Sequence, residues 1–272
     1  MQAKLQRRIQ RYGWDRAVSD YEHAWKRQLE PAQTCLLEMA DLQCGERVLD
    51  VACGTGLVTR RAALQVSPSG SVIGTDMAEK MVQQARHTAA QQQMHQVSFE
   101  RMEAEHLQLP NAVFDAALCA LGLMYVPDPV QALQEMHRTL KFAGRAVAAV
   151  WGRRGRCGWA EIFPIVDARV QSEVCPLFFL LGTQDMLAQN FTTAGFKDIQ
   201  SQRLSTILHY DSPADACAAA FAGGPVALAY ARFSAATRQD VQAEYLASIE
   251  PYRSGDSYAI PGEFVVVSGS KM

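Results

Sequence analysis

The sequence predicts a doubly wound α/β fold: a seven-stranded, mostly parallel sheet flanked by helices, with the last strand antiparallel. Three features predict it. Short apolar runs alternate with helical stretches through the first two-thirds of the chain, as in parallel sheets buried on both faces. The first run turns into a helix through Gly54-Thr-Gly56. The second ends on Asp76, which sets a Gly turn and a carboxylate side by side at the carboxyl ends of neighbouring strands.

Residues 1–40 read as a helical cover carrying Trp14, Tyr21, Trp25, Leu36 and Leu37. The β-branched run at 47–52 is the first strand, and helix follows from Leu57. The turn Ser67-Pro-Ser-Gly70 leads into a second strand at 71–76, then a helix over 78–91. Strands three, four and five fall at 97–101, 114–119 and 144–150, with a helix over 129–140 between the last two. A sixth strand alternates from Phe196 to Leu208, and the final strand spans 263–268. Between these two, residues 212–250 are helical and Ala-rich, broken at Gly223-Gly-Pro225. The predicted organisation is a cover at 1–40, a core at 41–210 plus 257–272, and a helical insertion at 211–256 placed to act as a substrate lid.

Composition narrows the function. The 26 basic and 28 acidic residues leave a net charge of −2, too weak a field to hold nucleic acid or an anionic membrane. No apolar run approaches the ~20 residues of a membrane span, and the polar, basic N-terminus lacks the apolar stretch of an export signal. The expectation is a cytoplasmic protein, monomer or homodimer, with a small-molecule partner, no nucleic acid and no stable membrane insertion. Cys35, Cys44, Cys53, Cys119, Cys157, Cys175 and Cys217 include no C-x-x-C pair and no zinc-ligand spacing. They are expected to be free thiols in a reducing compartment, with no metal site.

Small residues at 54 and 56 let a ligand approach the backbone, where a helix N-terminus offers free N–H groups. Asp76 is suited to accept both hydroxyls of a ribose, and also to cap the helix that follows. Together they outline a nucleoside site. A dinucleotide fingerprint needs a third Gly where this chain has Thr59. Asp50, on the first strand, repels a pyrophosphate and suits a cation. S-adenosylmethionine carries a sulfonium and an ammonium and no phosphate, so these charges favour it over NAD.

Val48-Leu-Asp-Val-Ala-Cys-Gly-Thr-Gly56, with Asp76 one strand later, resembles motif I of the class I S-adenosylmethionine-dependent methyltransferases. The branch it most resembles contains the ubiquinone/menaquinone-biosynthesis (type 11) enzymes, and the likeness covers roughly residues 45–150. It implies a Rossmann-like fold, S-adenosyl-L-methionine as cofactor with S-adenosyl-L-homocysteine as product, and methyl transfer to a small molecule. It further implies that Asp50, Ala52, Cys53, Gly54, Thr55 and Gly56 hold the methionine moiety. Asp76 would hold the ribose, and Met77 and Met81 would lie beside the adenine. Glu103 and Ala104 stand where relatives carry an Asp-Ala pair, and Cys119 opens the segment that runs under the methyl group. Ala52 replaces the first Gly of the usual pattern. Leu123-Met-Tyr125 stands where relatives often carry a His.

Acceptor-site candidates are Tyr21 and Trp25, four apart on one helix face, with Tyr125, Phe221 and Tyr230. If the acceptor needs a base, Tyr125, His23 and His209 are the candidates, though each has an ordinary packing role open to it. Two other readings stay open: a cofactor-binding protein without transferase activity, and a nucleotide-dependent oxidoreductase.

Overall fold

The computed structural model describes residues 3–170 and 178–272. Ala3–Ala40 form one helix, α1. Five strands follow: β1 (Arg47–Val51), β2 (Ser71–Asp76), β3 (Val97–Arg101), β4 (Phe114–Ala120) and β5 (Leu140–Trp151). The helices among them are α2 (Leu57–Val66), α3 (Glu79–Gln91) and α4 (Pro129–Thr139). After β5 come α5 (Ile162–Asp167), α6 (Met186–Thr193) and β6 (Lys197–Tyr210). The segment before the final strand holds α7 (Pro213–Cys217), a π-helical turn over Ala218–Ala222, α8 (Ala227–Tyr230) and α9 (Ala235–Ile249). A two-residue strand, β7 (Arg253–Ser254), and β8 (Ser257–Ser270) end the chain.

The strand order is β3-β2-β1-β4-β5-β8-β6, with β7 on β8. β1 to β5 are mutually parallel, and β8 runs antiparallel to β5 and β6, as the sequence predicts. Order reverses between β1 and β4, so the loops leaving these two strands diverge and open a crevice. Val48, Leu49, Ala116, Ala117, Leu118 and Val147 are fully buried, which explains their unbroken apolar runs. Leu118→Ala there costs ~2–5 kcal/mol. Asp128 starts α4 by accepting the Gln131 N–H, with Pro129 at the first helical position.

β6 and β8 are each 14 residues long and longer than their apolar patterns suggest. Most of β6 is exposed, so its pairing with β8 leaves little hydrophobic signature. Its outer edge meets α1: the Gln28 amide donates to the His209 carbonyl at 2.5 Å and accepts the His209 N–H at 3.0 Å. That contact shields part of an edge strand. No described helix is long and apolar enough to cross a membrane. The six described cysteines are free, and Cys175 lies outside the described residues.

Candidate functional site

The crevice is built by backbone first. Ala52, Gly54 and Gly56 have φ of +56°, +55° and +82°, so the chain after β1 coils through the left-handed region before entering α2. Glycine takes this conformation freely, and Ala52 takes it at a cost. The Cys53 N–H donates to the Thr75 carbonyl at 2.9 Å, tying the turn to the end of β2. Beneath the turn, the buried Arg60 guanidinium donates to the Thr55 carbonyl at 2.6 Å.

Two buried acids flank it. Asp76 Oδ2 accepts the Gly54 N–H at 2.9 Å and Oδ1 accepts the Ala78 N–H at 2.8 Å. The carboxylate thus joins the Gly turn to the start of α3, and each oxygen keeps a lone pair. Burial pushes its pKa up to about 6, against the pull of these N–H groups. Asp50 Oδ2 accepts the Thr59 hydroxyl at 2.5 Å, while its Oδ1 is buried with no hydrogen-bond partner. Burial pushes Asp50 up to about 7. Thr59 occupies the place of the third dinucleotide glycine, and its side chain is committed to Asp50. The buried Thr55 hydroxyl also lacks a partner. Asp76 in the cavity wall beside the left-handed Gly turn, with the buried carboxyl of Asp50 behind that turn, suits a ligand with ribose hydroxyls and a cationic amino-acid end, so these residues suit S-adenosylmethionine.

The cleft above holds about 870 Å³ of empty space, part of it open to solvent. Its wall includes Ala52, Gly54, Asp76, Met77, Met81, Met102 and Ala104. The same wall holds Trp14, Tyr21, Trp25, Tyr125, Trp151, Trp159 and Phe178, so all four tryptophans of the chain line one cavity, and Tyr21 lies against the Gly turn, 3.8 Å from where a Cβ on Gly54 would sit. Their rings meet edge to face: Trp14 with Tyr125 at 5.1 Å, Tyr125 with Phe178 at 5.5 Å and Trp151 with Trp159 at 4.8 Å between centroids.

α1 forms the roof. Arg7 donates twice to the buried Glu105, at 2.8 and 2.9 Å, and Glu105 also accepts the Asp128 N–H. Asp15 accepts the Lys80 N–H at 2.8 Å, fixing α1 to the first turn of α3. Burial among Asp76, Glu22 and Asp50 raises the Tyr21 hydroxyl well above the usual tyrosine range.

The predicted residues fall into three groups. Ala52, Gly54, Asp76, Met77, Met81, Ala104, Tyr21, Trp25 and Tyr125 all line the cavity. Asp50, Thr55, Gly56 and the Cys119 thiol are buried behind its wall, and Cys53 packs with Val82 and Phe99 on the far side of the turn. Burial pushes the Cys119 thiol up to about 12. The remainder point elsewhere. Glu103 is half exposed, 3.6 Å from Arg7. His23 is exposed and 3.9 Å from Asp215, and His209 is exposed and outside the cavity wall. Phe221 is buried in the insertion, stacked on Tyr230 at 4.8 Å, and neither residue is part of the cavity wall.

Sequence reasoning passed over Trp151, Trp159, Phe178 and Met102. Trp151 had a usable signal, since it ends a strand on the side where α/β sheets bind ligands. Trp159 and Phe178 lie in the connection between β5 and β6, where no periodicity marks them.

A parallel sheet with a Gly turn and a strand-end acid at its switch point defines a Rossmann-like nucleoside-binding domain. Residues 42–205 match the family model described as Methyltransferase domain, and the chain belongs to that family. The methyltransferase motifs at 45–150 fall inside this span. A demethylmenaquinone methyltransferase from Listeria monocytogenes serotype 4a is 32% identical over 127 residues, 47% of this chain and 54% of the relative. One from Geobacillus sp. is 29% identical over 182 residues, 60% of this chain and 76% of the relative. The chain therefore spans about half the length of the first of these relatives. Among solved structures, the YcgJ protein from Bacillus subtilis gives a TM-score of 0.60 at 17% identity, covering 89% of this chain and 98% of that one. Phosphoethanolamine N-methyltransferase 2 from Haemonchus contortus, in complex with S-adenosyl-L-methionine, gives 0.62 at 16%, covering 94% and 57%. At these identities the likeness is one of fold.

Proposed function

We propose that this chain is an S-adenosylmethionine-dependent methyltransferase acting on a small, largely apolar, ring-bearing acceptor. The observation that carries this is one cavity whose wall combines the Gly54–Asp76 pair with seven aromatic side chains. The name of its relatives, demethylmenaquinone methyltransferase, supports an acceptor of that kind.

S-adenosylmethionine bound there supplies a methyl group activated by a sulfonium. Asp76 would accept the ribose hydroxyls, and Met77, Met81, Met102 and Ala104 would enclose the adenine. The backbone of residues 52–56 would hold the methionine end, and the negative charge of Asp50 behind that turn would favour its ammonium. Aromatic faces favour a sulfonium and exclude water, and alignment in such a cavity supplies most of the rate. α1 and the insertion at 211–256 together act as the cover. Tyr125, which lines the cavity, is the one base candidate among the three in a position to meet an acceptor.

Calorimetry with S-adenosylhomocysteine and NADH, followed by turnover of methyl-labelled S-adenosylmethionine with a metabolite extract, tests this reading. Binding of S-adenosylhomocysteine and label transfer to an extractable apolar compound are expected. Binding without transfer would favour a non-catalytic cofactor-binding protein, and binding of NADH alone would overturn the assignment.

A further inference from the structure

Glu263 is a buried acid on β8, beside Phe264 and a run of buried valines, and no step of the methyl transfer uses it. Its Oε2 accepts the Arg203 guanidinium at 3.0 Å and the Arg153 backbone N–H at 3.2 Å. Its carbonyl accepts the Gly152 N–H at 2.6 Å. Arg203, on the neighbouring β6, also donates to the Gly182 carbonyl at 3.0 Å and to the Gln184 carbonyl. One ion pair thus gathers two stretches of the connection between β5 and β6, residues 152–153 and residues 182–184. The backbone there is packed to its limit. A Cβ on Gly152 would meet Glu263 Oε2 at 2.4 Å, and one on Gly182 would meet the Trp151 carbonyl oxygen at 1.9 Å.

We propose that Arg203 and Glu263 are positioning residues for the acceptor: their pair sets where Trp151, Trp159 and Phe178 stand, and so what the cavity admits. This rests on the methyltransferase reading above and adds two residues that act on acceptor binding and leave cofactor binding alone. Trp151 directly precedes the first anchored stretch, and its ring lies 4.2 Å from that of Phe264, the neighbour of Glu263. Trp159 and Phe178 enter the cavity wall from between the two anchored stretches. The described part of that connection adds no strand to the sheet, so no ladder of backbone hydrogen bonds fixes these rings. Ala52, Gly54 and Asp76 belong to the carboxyl ends of β1 and β2, and the ion pair makes no hydrogen bond to them. A buried ion pair returns little net stability once its desolvation is counted. What it supplies is direction, because a carboxylate and a planar guanidinium fork bond along fixed lines and apolar side chains do not.

The probe is 4-nitrotoluene, an uncharged aromatic that quenches tryptophan fluorescence, titrated with S-adenosylhomocysteine saturating. All four tryptophans line the cavity and report its binding. Arg203→Met combined with Glu263→Met removes both charges together, so neither is left buried alone. This double variant should bind S-adenosylhomocysteine within about threefold of wild type and 4-nitrotoluene at least about tenfold more weakly. Arg203→Lys keeps the charge without the fork and should fall between the two. Glu263→Gln keeps the shape of the side chain and should weaken 4-nitrotoluene binding at least about threefold. It decides the matter alone if the double variant does not fold. A merely structural pair would lower the melting temperature and leave both affinities of the folded protein unchanged, which overturns this inference. An equal loss of both ligands, or a wild-type chain that binds S-adenosylhomocysteine but not 4-nitrotoluene, overturns it as well. Failure of the wild-type chain to bind S-adenosylhomocysteine overturns the methyltransferase reading and this inference with it.

Discussion

Gly122 lies so close to Ala52 that a methyl group on it would come 2.4 Å from the Ala52 Cβ. These two residues join the loops that leave β1 and β4, the strands between which the sheet order reverses. Each loop holds a non-glycine residue in the left-handed region, Ala52 at φ +56° and Leu121 at +63°. Both loops line the cavity, so their spacing sets its floor. Gly122→Ala should destabilise the protein by about 1–3 kcal/mol through overpacking. Ala52→Gly should be close to neutral or mildly stabilising, since it removes strain of about 1 kcal/mol and adds unfolded-state freedom. The double variant should recover much of the loss, giving a coupling energy above about 0.5 kcal/mol in a denaturation cycle. Strict additivity would show that the two loops are not in contact.

Asp76→Ala should lower S-adenosylhomocysteine affinity at least tenfold, because charge-assisted hydrogen bonds contribute about 1.5–3 kcal/mol each. The same carboxylate holds the Gly54 and Ala78 N–H groups, so stability should also fall, by about 1–3 kcal/mol. Asp76→Asn keeps one acceptor oxygen and should fall between wild type and Ala on both measures. Calorimetry on folded variants decides it, and unchanged affinity in Asp76→Ala would remove this residue from the site.

Burial raises both acids above the ordinary carboxylate value of 3.8, Asp76 to about 6 and Asp50 to about 7. The folded chain therefore binds more protons than the unfolded chain between those limits. The stability these two groups contribute is fully present below about pH 4 and is lost as pH rises through about 6 and 7. A ligand with an ammonium and ribose hydroxyls favours the ionised forms. Its binding should release protons near pH 6.5, and its affinity should rise with pH up to about 7.5. Calorimetry at about pH 6.5 in buffers of different ionisation heat measures this. A binding enthalpy independent of buffer would mean neither carboxylate senses the ligand.

The parallel half of the sheet and the nucleoside part of the cavity wall were legible because both are written locally. Buried strands read as apolar runs, and Gly54, Gly56 and Asp76 sit at fixed places in one strand-turn-helix-strand unit. The aromatic part of the wall was legible only in Tyr21, Trp25 and Tyr125, for the opposite reason. Trp14 and Trp25 come from α1, Trp151 from the end of β5 and Trp159 from an irregular connection, so only the tertiary fold assembles them. His23 and His209 failed as site residues because chemical type was the main reason to choose them. The backbone of His209 is held by Gln28 while the residue stays exposed, outside the cavity wall. Phe221 and Tyr230 misled in another way, since their aromatic side chains satisfy one another inside the insertion.

That internal packing changes what the insertion is expected to do. Pro225 is its only described residue in the cavity wall, whereas Phe221 stacks on Tyr230 and meets Tyr245 edge-on at 5.6 Å. The insertion also grips α1. A Cβ on Gly223 would come 2.9 Å from the Ala24 Cβ and 3.2 Å from the Asp20 carbonyl, residues that directly precede the cavity residues Trp25 and Tyr21. If α1 and the insertion move to admit ligand, they therefore move together. Pro225→Ala should change the acceptor KM with little effect on S-adenosylhomocysteine affinity. Gly223→Ala should cost about 1–3 kcal/mol and speed S-adenosylhomocysteine release, because it pries the insertion from α1. Phe221→Leu should cost stability, by about 1–3 kcal/mol, and leave acceptor preference unchanged. Amide exchange across 3–40 and 211–256 should slow together when S-adenosylhomocysteine binds. Slowing in one segment alone, or a change of acceptor in Phe221→Leu without one in Pro225→Ala, would break the joint-cover account and leave the insertion as a fixed wall.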